Sequence, residues 1–236
     1  MNSLRTTDVV VSLLKFSGDY KKCKVGHGGT LDKLAEGVLV IGINQGCRFL
    51  NDLLKGPKSY EVVGKLGLET DTLDLGGNII RTADDDHVDE SLINSVLPLF
   101  IGETEQEAPI YSSLKINGKT SADRVRSGEH VEAKVRKVII YDIVLTKYES
   151  HVDHKSFTLA VTCGAGTYVR SLVRDIGRKV NSAATATTII RTSQGPFSIV
   201  NSSSSSSLPV YKYEEITFEK IIEALDNFKY KQLIKC

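Results

Sequence analysis

Residues 26–43 read GHGGTLDKLAEGVLVIGI, the most unusual stretch of the chain. Glycine occupies three of its first four positions, so the backbone can turn tightly and a ligand can approach it closely. Asp32 follows at the end of this loop, where a lone carboxylate is available for chemistry. Two other interpretations stay open on these residues alone. Asp32 caps a short helical turn, or the loop cradles a phosphate, although it lacks the lysine of phosphate-binding loops.

The segments around this loop predict alternating helices and strands. Gly37–Ile43 is apolar, bounded by glycines and too short for a helix, so we expect a buried strand there. The spacing of apolar residues further predicts helices near 6–14, 50–55, 89–100, 167–180 and 216–228, strands at 60–66, 138–145, 157–163 and 189–199, and a turn-rich connection at 71–77. The glycine turn at 164–166 joins a strand to a helix, a common position for catalytic side chains.

Composition limits the class of protein. The chain has 236 residues, of which 41% are hydrophobic and 25% charged, so it can bury a core, and we expect a single elaborated domain. No apolar stretch approaches the roughly 18 residues that span a bilayer, and the N-terminus lacks the features of a signal peptide. The four cysteines show no CxxC spacing, which argues against a disulfide scaffold and a zinc site. We therefore expect a soluble intracellular protein with reduced cysteines.

The net charge of +1 does not indicate a nucleic-acid binder, but the charges are unevenly distributed. Basic residues cluster at 21–24, 134–137 and 170–179, whereas acidic residues cluster at 84–86 and 103–107. This segregation would let one face follow the phosphates of a nucleic acid while the total charge stays near zero. An ordinary solvated surface is the alternative interpretation.

Several familiar catalytic motifs do not occur in the sequence. The five histidines show no HExxH or comparable metal-binding spacing, no Walker lysine follows a glycine loop, and there is no GxSxG segment. Metal-dependent hydrolysis, nucleotide hydrolysis and serine hydrolysis are therefore poorly supported.

Five blocks of the sequence are similar to one enzyme family. GHGGTLDKLAEGVL closely resembles the GHxGTLDPxAxGVL signature of the TruB-type pseudouridine synthases. Four further blocks resemble the rest of the family pattern, in family order: KSYEVVGKLGLETDTLDLGG, APIYSSLKINGK, CGAGTYVRSLVRDIG and IIRTSQGPFSI. Together they extend over residues 22–200, and their wording is most similar to the eukaryotic tRNA pseudouridine-55 synthases.

The resemblance implies a fold and an activity. The implied fold is α+β, a pseudouridine synthase catalytic fold with a mixed, mostly antiparallel central sheet, flanking helices and an RNA-binding cleft. The implied enzyme is an isomerase that detaches uracil from its ribose, rotates the base and rejoins it through carbon 5 without a cofactor or metal. Its substrate would be the uridine at position 55 in the T loop of tRNA, with messenger RNAs of similar loop shape as additional candidates. That uridine must be flipped out of the folded RNA to be reached.

The resemblance also implies roles for individual residues. Asp32 matches the catalytic aspartate, which attacks the uridine as a nucleophile. Tyr168 and Arg170 match the pair that completes the site, with the phenol placed for proton transfer at carbon 5 and the guanidinium keeping the aspartate ionised. We expect these two residues to lie in an extended stretch, which would point both side chains to the same side. The implied substrate-binding residues are Tyr60, which stacks on the base, His27, which helps to hold the opened RNA loop, and Lys115, Ile190 and Arg191.

Each of these residues has a structural interpretation as well. Tyr60 suits the core or surface of a strand, His27 suits a loop hydrogen bond, and Tyr168 suits the start of a helix. Arg170 would then be an ordinary surface charge. The occurrence of Asp32, Tyr60, Tyr168 and Arg170 together, in the family's order, favours the catalytic interpretation.

The family pattern sets the expected domain organisation. We expect a catalytic domain over residues 1–200, a serine-rich spacer over 201–207 and a helical tail over 208–236. The N-terminal strand with a Lys-Pro pair that is usual in the family is expected to be missing, and the tail is too short for the PUA domain of bacterial relatives. Lys33 stands where the family usually has proline. We expect a monomer that binds no membrane and is located in the nucleus, the cytosol or the mitochondrion.

Two alternative functions stay open. The first is a guide-RNA-dependent pseudouridine synthase related to dyskerin, although that branch usually carries a PUA domain and lacks the Thr-Asp-Thr-Leu-Asp block found at 70–74. The second is a catalytically weak RNA-binding or RNA-folding module. Activity on tRNA without a guide RNA would exclude the first, and product formation that depends on Asp32 would exclude the second.

Overall fold

The computed structural model describes residues 24–116, 118–152, 154–199, 217 and 219, and the chain divides into two units. The first unit comprises Met1–Gly56 and Thr192–Cys236, and the second comprises Pro57–Arg191. The helix expected near residues 6–14, the serine-rich spacer and the domain boundaries at 200 and 208 lie outside the described residues. Of the helix expected near 216–228, only residues 217 and 219 are described. Within the described residues, no helix is long and apolar enough to cross a bilayer.

The first unit is built around a short hairpin. Its elements are β1 (Val25–His27), β2 (Ala35–Gly37), β3 (Ile41–Ile43), a 3-10 helix (Asn44–Phe49), α1 (Leu50–Lys55) and β13 (Phe197–Ser198). β1 and β3 pair antiparallel, with Gly26 opposite Gly42. A Cβ on either glycine would lie within 3.0 Å of the Leu50 side chain, so the missing side chains allow α1 to approach the hairpin closely.

The continuous strand expected over Gly37–Ile43 is wrong. β2 ends at Gly37, whose φ of +97° departs from extended geometry, and β3 begins only at Ile41. Val38 and Val40 are nevertheless buried, and the Val40 carbonyl accepts a hydrogen bond of 2.8 Å from the Gly28 amide. The apolar run therefore signalled burial correctly, but burial does not require a strand.

The second unit contains the larger sheet. Its elements are β4 (Lys58–Leu66), β5 (Leu68–Thr70), β6 (Ile79–Thr82), α2 (Glu90–Val96) with a 3-10 extension (Leu97–Phe100), β7 (Gly102–Glu107), β8 (Lys115–Ile116), β9 (Lys119–Thr120), α3 (Ser121–Arg126), β10 (Val135–Ser150), β11 (Lys155–Cys163), α4 (Val169–Lys179) and β12 (Ala184–Gln194), whose last residues belong to the first unit. The strand order is β12-β4-β11-β10-β7, and the pairs β4–β11, β11–β10 and β10–β7 are antiparallel. Asp74 adds a parallel bridge to Ala186. The expected α+β fold with a mainly antiparallel sheet is confirmed.

The core of the second unit lies between the sheet and α4. Alternate side chains of β4 face one side, and on that side Val62 and Leu66 are buried. Gly64 is opposite Phe157 of β11, and a Cβ on Gly64 would lie 2.5 Å from the Phe157 ring. α4 contributes a buried apolar stripe of Leu172, Val173 and Ile176, as its helical periodicity predicted.

The helix expected over residues 89–100 is confirmed in two parts. The Asp89 carboxylate accepts a 2.7 Å hydrogen bond from the Leu92 amide and caps α2. Pro98 lacks an amide hydrogen, and from Leu97 the chain continues as a 3-10 helix. β7 and the hairpins β5–β6 and β8–β9 were not predicted. β7 carries exposed Glu103 and Glu105, so it lacks the apolar alternation by which strands are found.

Candidate active site

The glycine-rich segment holds Asp32 within the first unit. Gly29 has a φ of +144°, which side-chain-bearing residues rarely adopt, and the amide of Gly28 is fixed to Val40. The Asp32 carbonyl accepts a 3.0 Å hydrogen bond from the Ala35 amide, so a tight turn follows the carboxylate. Asp32 itself is half-buried and Leu31 is buried. The loop therefore anchors its backbone while leaving the acid partly accessible.

Tyr60 is placed by β4 in the second unit. It is half-buried and lies opposite Val161 of β11. Because side chains alternate along a strand, Tyr60 shares its face of the sheet with Lys58 and Val62. Burial is the main cause that lowers the pKa of Lys58, and repulsion from the charge of Arg191 lowers it further. The tyrosine thus stands on the same side of the sheet as a buried amine.

The extended geometry expected for residues 168–170 is wrong. Tyr168 is the last extended residue before α4, with φ −104° and ψ 107°, and Arg170 is the second residue of the helix. The backbone changes from extended to helical between the two residues, so the alternation of side chains along a strand does not apply to them. Instead, the Tyr168 amide donates a 2.8 Å hydrogen bond to the Gln106 side chain at the end of β7.

Arg170 is buried, only 4% exposed, and its guanidinium contacts three acceptors within the second unit. It donates to the Thr72 carbonyl at 2.5 Å and to the Tyr111 carbonyl at 3.2 Å. The Asp74 carboxylate lies 3.5 Å away and forms an ion pair with it. The interpretation of Arg170 as a surface charge is therefore wrong. Burying a charge is expensive unless hydrogen bonds and a counter-charge accompany it, and Arg170 has both.

The loop between β5 and β6 is the scaffold for this guanidinium. The Asp74 carboxylate accepts hydrogen bonds from the Thr72 hydroxyl at 2.7 Å and from the Gly76 amide at 2.9 Å. A Cβ on Gly77 would lie 2.2 Å from an Asp71 carboxylate oxygen, so the loop closes too tightly for any other residue there. Sequence reasoning identified the block at 70–74 as a family feature but missed Asp74 as the partner of Arg170.

Arg170 and Arg174 of α4 are buried and so cannot follow phosphates as their clustering suggested, whereas Arg178 and Lys179 of the same cluster are exposed. Arg174 is buried and contacts Glu107 at 3.3 Å and Asp175 at 2.8 Å. Arg178 donates two hydrogen bonds to Glu69, a carboxylate that is almost completely buried. Burial raises the pKa of Asp175 despite its contact with Arg174. The i, i+4 spacing places these arginines on one helix face, where they pair with the buried Glu69 and the partly exposed Glu107.

The remaining candidates lie in several places. His27 ends β1 and is half-buried, opposite Ile41. Ile190 is half-buried in β12, whereas Arg191 beside it is 1% exposed. Lys115 begins β8, and its side chain lies outside the described part of the structure. Asp32 and His27 thus belong to the first unit, and the other candidates belong to the second.

A thiol nucleophile is not supported among the described cysteines. Cys163 is buried at the end of β11, and burial raises the pKa of its thiol to about 11. The reactive thiolate is therefore scarce at neutral pH. Cys47 is half-buried, and its thiol donates to the Gly42 carbonyl at 3.2 Å. Among the described residues, Asp32 stays the candidate nucleophile that the sequence indicated.

Comparisons with known proteins agree with the pattern of motifs. Residues 18–169 match the family described as TruB family pseudouridylate synthase, N-terminal domain. The chain is 44% identical to the Homo sapiens pseudouridylate synthase TRUB1 over 75% of this chain and 50% of that protein. It is 38% identical to tRNA pseudouridine synthase B of Clostridium perfringens strain SM101, over 83% of this chain and 65% of that protein.

Solved structures extend the likeness to the fold. A structure of a Cbf5-Nop10-Gar1 complex contains a chain with a TM-score of 0.60 and 26% identity, covering 84% of this chain and 47% of that one. The chain thus spans about half the length of the curated TRUB1 and of this solved structure. It also spans about two thirds of the bacterial relative.

Proposed function

Because the chain belongs to the TruB family of pseudouridylate synthases, we propose that it converts uridine to pseudouridine at position 55 in the T loop of tRNA. The observation that carries this proposal is the segment GHGGTLD at residues 26–32, which lies within the matched range and holds a half-buried Asp32 on a fixed turn. Relatives named for tRNA pseudouridine synthesis support tRNA as the substrate. Messenger RNA loops of similar shape are proposed as additional substrates.

The proposed reaction is an isomerisation in which every atom of the uridine is retained. The Asp32 carboxylate attacks the uridine, either at carbon 6 of the base or at the ribose carbon 1′, and the bond between nitrogen 1 and carbon 1′ breaks. The uracil rotates, carbon 5 bonds to carbon 1′, and the carboxylate leaves. Carbon 5 loses its proton, with Tyr168 as the group that moves it, and nitrogen 1 gains a proton. No oxidant, reductant or cofactor is needed for this balance.

The other proposed groups belong to the second unit, except His27, which belongs to the first. Tyr60 stacks on the flipped uracil, which offsets part of the base stacking that the RNA loses. Arg170, fixed against Thr72 and Asp74, stabilises negative charge during the reaction. His27, Lys115, Ile190 and Arg191 are proposed to contact the RNA. A hairpin loop recognised by its shape fits an enzyme of this kind better than a linear sequence does.

We further propose that the enzyme acts as a monomer inside the cell and requires neither a metal nor a cofactor. A tRNA substrate requires only that the enzyme is located in a compartment that contains tRNA. Nucleus, cytosol and mitochondrion all satisfy that condition.

The test is conversion of an unmodified tRNA transcript, mapped to single nucleotides by pseudouridine-specific chemistry. Asp32→Asn keeps the size of the side chain and removes the nucleophilic charge, so it should abolish product while leaving tRNA affinity within about twofold. Asp52→Asn, an exposed position on α1 in the same unit, is the matched control and should keep wild-type activity.

Three outcomes would change the proposal. Product that persists in Asp32→Asn would remove Asp32 as the nucleophile. A wild type that binds tRNA but forms no product would favour the RNA-binding or RNA-folding module. Product that appears only after addition of a guide RNA would favour the branch related to dyskerin.

A further inference from the structure

The side chain of Gln194 is enclosed at the end of β12. It is completely buried, and within the first unit its amide nitrogen donates to two backbone carbonyls, Gly28 at 2.5 Å and Leu53 at 3.1 Å. Both partners are acceptors, so the orientation of the amide group is unambiguous. One side chain therefore joins the glycine-rich segment, the end of α1 and the end of β12.

Gly28 is fixed by hydrogen bonds at both its amide and its carbonyl, and side chains pack closely around it. Its amide donates to Val40, its carbonyl accepts from Gln194, and a Cβ on it would lie 3.4 Å from the Gln194 nitrogen and 3.5 Å from Leu53. Gly28 is four residues before Asp32, and the intervening Leu31 is buried. The hydrogen bond from the Gln194 side chain to the Gly28 carbonyl thus fixes the backbone that leads into Asp32.

A primary amide is the side chain that suits this position. The two N–H groups of glutamine satisfy two carbonyls, whereas methionine of similar length offers no donor and ionised glutamate would face both carbonyls with negative charge. The Gln194 carbonyl oxygen accepts no hydrogen bond within the part of the chain that the structure describes. An unsatisfied buried acceptor destabilises a fold, so the two donated hydrogen bonds are the polar contacts that this side chain makes there.

We propose that Gln194 is a positioning residue for Asp32. Its amide fixes the carbonyl of Gly28 and thereby sets where the carboxylate stands relative to the reacting uridine. The proposal rests on the proposed function of Asp32 as nucleophile. Displacement of a reacting group by about 1 Å lowers the rate by about 100-fold, so loss of the amide should act on turnover more than on binding.

The first experiment compares Gln194→Met with Leu53→Ala. Gln194→Met removes both donors at nearly constant size, and Leu53→Ala loosens the same packing but leaves the Leu53 carbonyl and the amide in place. Under single-turnover conditions, Gln194→Met should lower the rate of pseudouridine formation by about 10- to 100-fold with tRNA affinity within about twofold. Leu53→Ala should lower the rate by less than about threefold, even if it lowers the melting temperature as much as Gln194→Met does.

Gln194→Glu provides a second variant of equal size. Burial raises the pKa of a carboxyl group, and the protonated form regains one donor. Its rate relative to the wild type should therefore be lowest near about pH 8 and recover in part near about pH 6. Wild-type rates in Gln194→Glu at both pH values would contradict a role for the donated hydrogen bonds.

Hydrogen exchange separates this proposal from the proposed function. The backbone amides of residues 26–36 should exchange faster in Gln194→Met than in Leu53→Ala or the wild type. The positioning role would be overturned if the amides of residues 26–36 exchanged equally fast in all three proteins. It would also be overturned if Gln194→Met kept the wild-type rate, or if Gln194→Met and Leu53→Ala lost the same fraction of the rate. A wild type without activity would contradict the proposed function, and the exchange measurement would still decide whether Gln194 fixes the segment.

Discussion

At the scale of single residues, the best-defined group is the guanidinium of Arg170. Thr72, Tyr111 and Asp74 surround it, and the carboxylate of Asp74 is in turn held by the Thr72 hydroxyl and the Gly76 amide. A charge fixed in this way can act on a reaction without reorganising, which is the basis of electrostatic stabilisation in enzymes. We therefore expect the role that the resemblance assigned to Arg170 to depend on Asp74, an acid that was not singled out from the sequence.

Asp74→Asn should show this dependence. The amide oxygen still accepts hydrogen bonds, but the negative charge beside Arg170 is lost, so the guanidinium is held less firmly. We expect turnover on tRNA to fall by about tenfold or more, with tRNA affinity within about twofold. Asp71→Asn, which makes the same chemical change elsewhere in this loop, should have a much smaller effect. Similar losses of turnover in both variants would indicate a general role of the loop in folding.

At the scale of elements, the pairing of β4 with β11 determines which size of side chain fits at residue 64. The register sets Gly64 opposite Phe157, and the aromatic ring fills the space where a side chain on residue 64 would stand. Tyr60 lies four residues earlier on the same strand and the same face. The packing of one strand pair thus fixes the strand that carries a candidate substrate-binding residue.

This packing predicts a non-additive pair of substitutions. Gly64→Ala should destabilise the protein by about 1–3 kcal/mol through overpacking, and Phe157→Ala by about 3–5 kcal/mol through the cavity that it leaves. In the Phe157→Ala background, Gly64→Ala should have almost no further effect, because the clash is gone. Urea unfolding measures each value. Gly46→Ala, where no atom lies within 4 Å of the added Cβ, is the control, and additive losses would refute the clash.

At the scale of the whole molecule, the distribution of charge differs from what the sequence suggested. The net charge is +1. Arg170 and Arg174 of α4 are buried beside Asp74 and Glu107, and the exposed Arg178 is paired with Glu69, so this helix contributes less to a basic surface than its sequence suggested. The basic residues at the start of β10 are different, because Lys134 and Lys137 are exposed and form no ion pair within the described residues. These lysines are the stronger candidates for binding RNA phosphates.

Binding of tRNA at several salt concentrations tests this assignment. Lys134→Ala combined with Lys137→Ala should weaken binding and reduce the slope of log affinity against log salt by about 0.7–0.9 for each phosphate that the protein no longer neutralises. Lys147→Ala, at the other end of β10 where the lysine pairs with Glu149, should leave the slope unchanged. If the double variant kept the wild-type slope, Lys134 and Lys137 would not contact the RNA, and the binding surface would lie elsewhere on the protein.

The sequence by itself determined the elements whose signal is local. The strands β4, β10 and β11 and the helix α4 followed from apolar periodicity, because the spacing of side chains along an element decides which face is buried. The family followed from five short contiguous motifs along the chain, and the candidate nucleophile from the one that contains Asp32. These features need no knowledge of which distant segment lies nearby.

Only the tertiary structure decided which groups meet. Asp74 and Arg170 are separated by 96 residues, and Gln194 and Gly28 by 166, so no local spacing links either pair. Tyr168 and Arg170 were assigned a common side from their spacing in an extended stretch, but α4 starts between them, so that spacing argument does not apply. Periodicity records whether a residue is buried, whereas the partner of a buried charge or amide is set by the packing of segments far apart in the chain.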